Sequence, residues 1–291
     1  MKSFKVLFVI LLLSFAAFLR AQSPISGFMQ NKGNGSLVIS YNLESYDEVY
    51  LVPQKVYSVP IFKRVEINSL SFYGTYAITD KLNVVLNLPY IQSKGNASNQ
   101  VLKNLNYENT REGIQDVAAY LKYNPINISV ASGNLSLVGA LGLKTPVGNY
   151  KVDEGLQSII AIGNRATSIS GSAIALYKHQ SGFFTSGQLG YAYRTNNVPS
   201  AFTSEFKIGL AANYYVDAYI ANQISTGGTD ILAEGFQGFF PSTKVNFMRV
   251  GLNSFFPVYG GFGLGGGASM YIDGRNLGKS TNVYASAIFS F

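Results

Sequence analysis

From residue 36 onward, apolar and polar positions alternate along most of the chain. Leu82, Val84, Leu86, Leu88 and Tyr90 oppose Asn83 and Asn87. Leu135, Leu137, Leu141 and Leu143 oppose Ser136 and Lys144, and Phe206, Ile208, Leu210 and Tyr214 oppose Glu205, Lys207 and Asn213. Successive side chains of a strand point to opposite faces, so period-two alternation predicts strands with one apolar and one wet face. Twelve such segments are read, near 36–46, 65–78, 81–92, 113–124, 134–146, 167–178, 183–194, 203–214, 217–226, 244–255, 260–272 and 281–291. Most are long enough for the 9–11 residues with which a tilted strand crosses a bilayer. The segments at 217–226 and 244–255 alternate least clearly.

The connections alternate too. Long ones are read at 47–64, 93–112, 147–166 and 227–243, and moderate ones at 195–202 and 274–280. Between them fall short turns at Thr79-Asp80, near His179 to Gly182, at Tyr215-Val216 and at Pro257 to Tyr259, with a moderate one from Asn124 to Gly133. A soluble sandwich gives no reason for this alternation. An outer-membrane barrel does, with short periplasmic turns and long extracellular loops. An even strand count brings both ends to the periplasmic rim. Thr281 to Phe291 would then pair with the segment at 36–46 and close the ring, with Phe289 and the terminal Phe291 serving barrel assembly. The expected fold is all-β: an antiparallel transmembrane β-barrel of about 12 strands.

Composition supports this reading. Charged residues make up 13% of the chain, and there are 20 Tyr, 20 Phe and no Trp. An average soluble domain is about 25% charged. Low charge with abundant aromatics suits a wall facing lipid. Lys2 and Lys5, an apolar run from Val6 to Leu19, and Arg20-Ala21-Gln22 form the pattern of a secretory signal peptide, with cleavage expected after Ala21. Losing that segment lowers the formal charge from +7 to +4, too little to argue for nucleic acid. There is no Cys, so the exported chain must hold itself by a core or by closure of the sheet, not by disulfides. Residues 22–35 form a polar periplasmic segment, either a disordered tail or a plug folded into the lumen.

Several phrases resemble the outer-membrane barrel family named for phenol degradation by the meta pathway, whose members are regarded as candidate transporters. They are Tyr73 through Leu82, Leu88-Pro89-Tyr90, Gly113 through Asp116, Lys122-Tyr123, Gly142 through Gly148, and Gly190 through Arg194. The resemblance spans about residues 36 to 291. Two departures stand out: Val147 between Pro146 and Gly148, where the family more often has Thr, and Gln115 before Asp116, where small residues are commoner. The resemblance implies the barrel architecture and a transport role more than any particular substrate.

Parity assigns the wet faces to the lumen. The residues expected there are Glu66, Asp116, Tyr120, Lys122, Lys144, Gln188, Arg194, Glu205, Lys207, Asn213, Arg249 and Asn253. Mixed charges inside a barrel either line a water path or pair across it and hold it shut. Enzymatic signals are weak. The only histidine, His179, falls in a short turn, away from any nucleophile site. With no Cys and one His, a zinc site is not expected. Asp153-Glu154 reads as a solvated loop pair. Gly261, Gly263 and Gly266 match a dinucleotide fingerprint, but lie in a strand pattern with no following helix. They read as places where the wall bends or packs closely.

The expectation is a cofactor-free, passive outer-membrane channel of a Gram-negative bacterium for small molecules, hydrophobic or aromatic ones among them. Its partners would be outer-membrane lipid, the barrel assembly machinery and its cargo, with no nucleic acid. The alternative is a structural or ligand-binding barrel acting through its long outer loops.

Overall fold

The computed structural model describes residues 25–291. The expected signal peptide and residues 22–24 lie outside them. The barrel strands are β1 (Gly35–Tyr46), β2 (Val65–Thr79), β3 (Leu82–Gly95), β4 (Asp116–Val130), β5 (Gly133–Pro146), β6 (Ser168–His179), β7 (Phe183–Arg194), β8 (Ala201–Ala211), β9 (Tyr215–Ser225), β10 (Asn246–Tyr259), β11 (Phe262–Arg275) and β12 (Thr281–Ser290). A short strand, Thr110–Ile114, pairs with the outer end of β3, while β4 pairs with its inner end. Together they occupy a single place in the wall.

Each strand pairs antiparallel with the next, and β12 pairs with β1 from Ser36↔Ser290 to Ser45↔Thr281. The sheet therefore closes. Closure satisfies the backbone amides where lipid offers no partner. The seam is finished by two reciprocal bonds: Gly35 N donates to Phe291 O at 2.9 Å, and Phe291 N donates to Gly35 O at 3.0 Å. A Cβ on Gly35 would come within 2.7 Å of the Phe291 ring, so glycine is needed for the terminal ring to lie flat on the first strand. Phe289 packs on Phe262 of the neighbouring β11, with centroids 4.7 Å apart, and stacks on Phe291 at 6.1 Å.

The apolar faces point outward. Leu141 and Leu189 are 67% and 69% exposed, and Leu37, Phe72, Leu86, Phe206, Leu264 and Val283 share the same surface. Burying such a side chain is worth about 1.5–3 kcal/mol each, and a water-soluble wall would not carry so many in one band. Lipid is the medium in which this exterior is stable. Among the described residues no helix is long and apolar enough to cross a membrane.

The loop alternation is stricter than the sequence suggests. The moderate connection expected at Asn124 to Gly133 is mostly strand: β4 continues to Val130 and turns through Ala131 and Ser132, with Ala131 at φ 50. An irregularity between Tyr123 and Ile126 moves the outward face from odd to even positions, so Tyr123, Ile126 and Ile128 all face lipid. That parity switch, beside Pro125, hides the strand from a period-two reading. Two other turns shift. The β8–β9 turn is Ala212 to Tyr214, and the β10–β11 turn is Gly260-Gly261, with both residues at positive φ. That pair supplies the left-handed geometry a two-residue hairpin needs.

The long loops pack together on the opposite rim. Val59, Phe62, Val65, Ala97 and Ile160 make a small apolar core there, joined by Leu102 of helix α1 (Asn99–Leu105). Val49–Tyr50 pairs with Lys55–Val56 and with Leu277–Gly278, tying the first loop to the last. Glu48 clasps this minisheet between Lys55 at 2.5 Å and Lys279 at 2.9 Å.

Candidate channel lumen

The inward faces divide the lumen into two storeys. The storey near the short turns is filled. Residues from Ile25 onward run inside the wall and leave it at the short-turn rim. There Gly33 N donates to Ala77 O at 2.9 Å, and Lys32 N to Asp80 Oδ1 at 2.8 Å. Deeper in, Phe28 meets Phe184 edge-on at 5.0 Å and Tyr215 at 5.9 Å, while Phe184 and Tyr215 stack on each other. Lys122 Nζ donates to the Phe28 carbonyl at 2.7 Å. Ile25 packs on Val138, Ala140 and Ile174, with Met29 and Tyr120 alongside. The segment fits because polar groups such as the Phe28 carbonyl find partners, Phe28 finds rings and Ile25 finds an aliphatic patch.

The same storey carries a paired network. Asp217, fully buried, accepts from Tyr215 Oη at 2.5 Å and from Asn253 Nδ2 at 2.9 and 3.1 Å. Tyr284 Oη donates to Asn253 Oδ1 at 2.9 Å. Lys207 pairs with Glu205 at 3.0 Å, both buried, and Lys207 lies over the Tyr219 ring. Tyr219 in turn covers Gly251, whose missing Cβ would stand 1.9 Å from that ring. Gly263 lies under Phe255 in the same way, and Gly266 faces outward. Thus the three glycines of the fingerprint-like run serve a turn, a ring contact and the lipid face.

Above this the lumen opens into a chamber of about 490 Å³. Ile25 and Tyr120 line it towards the plugged storey. Ser168, Ser170 and Ser172 of β6 give it a hydroxyl wall, and Phe240, Pro241 and Phe247 an apolar one. The third long loop bends in: Gly163 and Asn164 line the chamber, Tyr150 Oη donates to buried Asp116, and Gln115 Nε2 donates to Ile162 O at 2.5 Å. Asp116 is also paired with Lys144 at 3.1 Å.

Ten of the twelve expected lumen residues face inward. Asp116, Tyr120, Lys144, Gln188, Arg194, Glu205 and Arg249 line the chamber. Lys122, Lys207 and Asn253 belong to the filled storey. Two are corrected. Glu66 shares the outward face of β2 with Phe72 and Tyr76; it lies opposite Lys94 at the long-loop rim and pairs with Arg64 at 3.3 Å. Its charge is tolerable there because the cost of a charge on the lipid side falls to about 0–1 kcal/mol near the interface. Asn213 sits in the β8–β9 turn, exposed, because β8 ends at Ala211 and strand parity no longer applies.

Sequence reasoning missed Asp217, Tyr150, the β6 serines and Tyr271. The serines were visible, alternating as S-I-S-G-S between Ser168 and Ser172. Tyr150 lies in an irregular loop, where no period exists. His179 holds Ser181 across its hairpin turn at 2.8 Å, as a turn residue does. Among the described residues no cluster of His, Cys, Asp or Glu could hold a metal ion.

With this geometry in view, comparisons with known proteins agree. The crystal structure of the COG4313 outer membrane channel from Pseudomonas putida F1 matches with a TM-score of 0.72 at 13% identity, covering 93% of this chain and 100% of that one. The KdgM porin in complex with disordered oligogalacturonate is a looser match, with a TM-score of 0.49 at 6% identity over 87% of this chain and 99% of that one. A search of curated proteins gives no match. The model of the family described as "Putative MetA-pathway of phenol degradation" matches residues 57–286, most of the chain, and the protein belongs to that family.

Proposed function

We propose that this protein is an outer-membrane channel that passes small molecules, aromatic and hydroxylated ones among them, from the long-loop side through the chamber. The chamber carries the reading: a walled space of about 490 Å³ with a row of serines facing phenylalanines, inside a closed barrel. It suits a flat molecule with an apolar body and a polar edge. The family's name and the channel from Pseudomonas putida F1 point the same way. Passage is passive and needs no cofactor. Every strand of the ring has a paired neighbour on each side, which favours transit along the lumen over escape through the wall.

In this reading Ile25 to Asn34 is a plug that must yield or be bypassed, and Phe289 and Phe291 present the closing strand to the assembly machinery. The test is conductance in planar bilayers, comparing the processed protein with a variant lacking residues 25–32. The expected result is small, brief currents from the former and larger, steadier ones from the latter. If both variants fold and neither conducts ions nor passes small solutes into liposomes, the channel reading falls.

A further inference from the structure

The charges of the chamber do not cancel, and the excess is positive. Asp116 is held by Lys144 and Tyr150, and Glu205 by Lys207. Arg194 and Arg249 line the same space, and neither forms an ion pair among the described residues; the arginines that do are Arg64, Arg111 and Arg275. Arg194 is positioned by neutral groups alone, donating to Pro199 O at 3.2 Å and Gln223 Oε1 at 2.9 Å. Arg249 lies between two rings, 5.4 Å from the centroid of Phe247 and 5.5 Å from that of Tyr271. Its Nε is buried with no hydrogen-bond partner among the described residues. Glu44 shares a small adjoining cavity with Arg249 and accepts a hydrogen bond from Ser280.

The two arginines stand on one wall. Gln223, which holds Arg194, is the ladder partner of Phe247, which stacks on Arg249. A guanidinium keeps its charge at any working pH and matches a carboxylate with two parallel donors. Desolvated inside a narrow wall, such a charge acts more strongly than it would in water. Phe247 and Phe240 line the same space, and aromatic side chains there suit contact with an aromatic body.

We propose that Arg194 and Arg249 form an anion subsite, and that the chamber selects aromatic monocarboxylates over neutral aromatics of the same size. The inference rests on the channel reading for its biological use, but binding can be measured without transport. Isothermal titration of the detergent-solubilised, processed protein with sodium benzoate and with benzyl alcohol, against empty micelles, tests it. Benzoate should bind at least about tenfold more tightly, and Arg194→Gln and Arg249→Gln should each weaken benzoate by about tenfold, with benzyl alcohol unchanged. Arg249→Lys keeps the charge without the stacked fork and should fall between. Heat-modifiable gel migration shows that each variant folds.

Equal affinity for the two probes overturns the proposal, and so does a benzoate preference indifferent to both substitutions. Ion currents from a protein with no benzoate preference would remove the subsite and leave the channel standing. A benzoate preference in a protein that never conducts would do the reverse.

Discussion

The two storeys of the lumen are built from the same strands and similar residue types, yet they differ in how charge is settled. Near the short turns each carboxylate and amine sits in a closed set: Asp217 with Tyr215 and Asn253, Lys207 with Glu205, Lys122 with the Phe28 carbonyl. Around the chamber two guanidiniums are held by neutral groups and rings, without an ion pair among the described residues. Packing supplies the difference. Below, a segment of the chain and a set of rings exclude water, so an unpaired charge would cost several kcal/mol. Above, none of the described residues fills the volume, so a charge there need not be matched by a buried partner.

The sharpest way to break the contrast is to remove what both storeys depend on. Deleting Phe289 to Phe291 takes away the Gly35–Phe291 bonds and the ring contacts with Phe262, leaving an open edge in lipid. The expected outcome is loss of inserted, heat-modifiable protein in membrane fractions, with both storeys lost together.

Next in size is a direct comparison of the two. Lys207→Ala takes the ammonium from its buried ion pair with Glu205 and should destabilise the barrel by about 3–5 kcal/mol. Ser168→Ala on the chamber wall should stay within about 0.5 kcal/mol. Denaturant midpoints read by gel shift will separate them; equal effects would show that the filled storey is not the stabilising one.

Glycines give a finer test. Gly251→Ala drives a methyl into the Tyr219 ring and should cost about 1–3 kcal/mol. Gly187→Ala, with nothing within 4 Å of its Cβ on the outer wall, should be close to neutral.

The smallest effect concerns acid. Asp230, clasped by Arg275 at 2.6 Å, has its carboxyl pushed down to about 2 from its ordinary 3.8. Its folded value lies below the unfolded one, so its contribution is full above the ordinary carboxylate range and is lost as pH falls through about 2. The clasp is partly exposed, so the contribution is small. Hydrogen exchange in the loop 226–245 should be insensitive to pH-driven opening at pH 5, once intrinsic rates are corrected. Opening that begins near pH 5 would mean another group controls this loop.

How far the sequence could be read follows from where period two survives. β3, β5 and the closing strand alternate without interruption, and their outward and inward sets are those expected. Period two ends at residue 124 in β4 because an irregularity inverts parity beside Pro125, and the strand beyond it is hidden from the pattern. Assigning wet faces to the lumen puts Glu66 inside, although Phe72 and Tyr76 on the same face of its strand face lipid and its own position is at the rim. Ile25 to Asn34 carries no period, since its shape is dictated by the cavity that receives it. Asp217 opens one of the two least regular strands, so nothing local marked it as the centre of a buried network.

The Gly35–Phe291 junction has one more consequence. A ring of strands with its ends hydrogen-bonded at one rim has no geometric beginning. A permuted chain, with Phe291 linked to Gly35 and new ends opened at the Asp80-Lys81 turn, would retain every barrel pairing. It would lose the covalent tether of the inner segment to β1 and its aromatic carboxy terminus. If such a chain refolds in lipid as readily as the parent, the position of the break in the ring is not a requirement of the barrel itself.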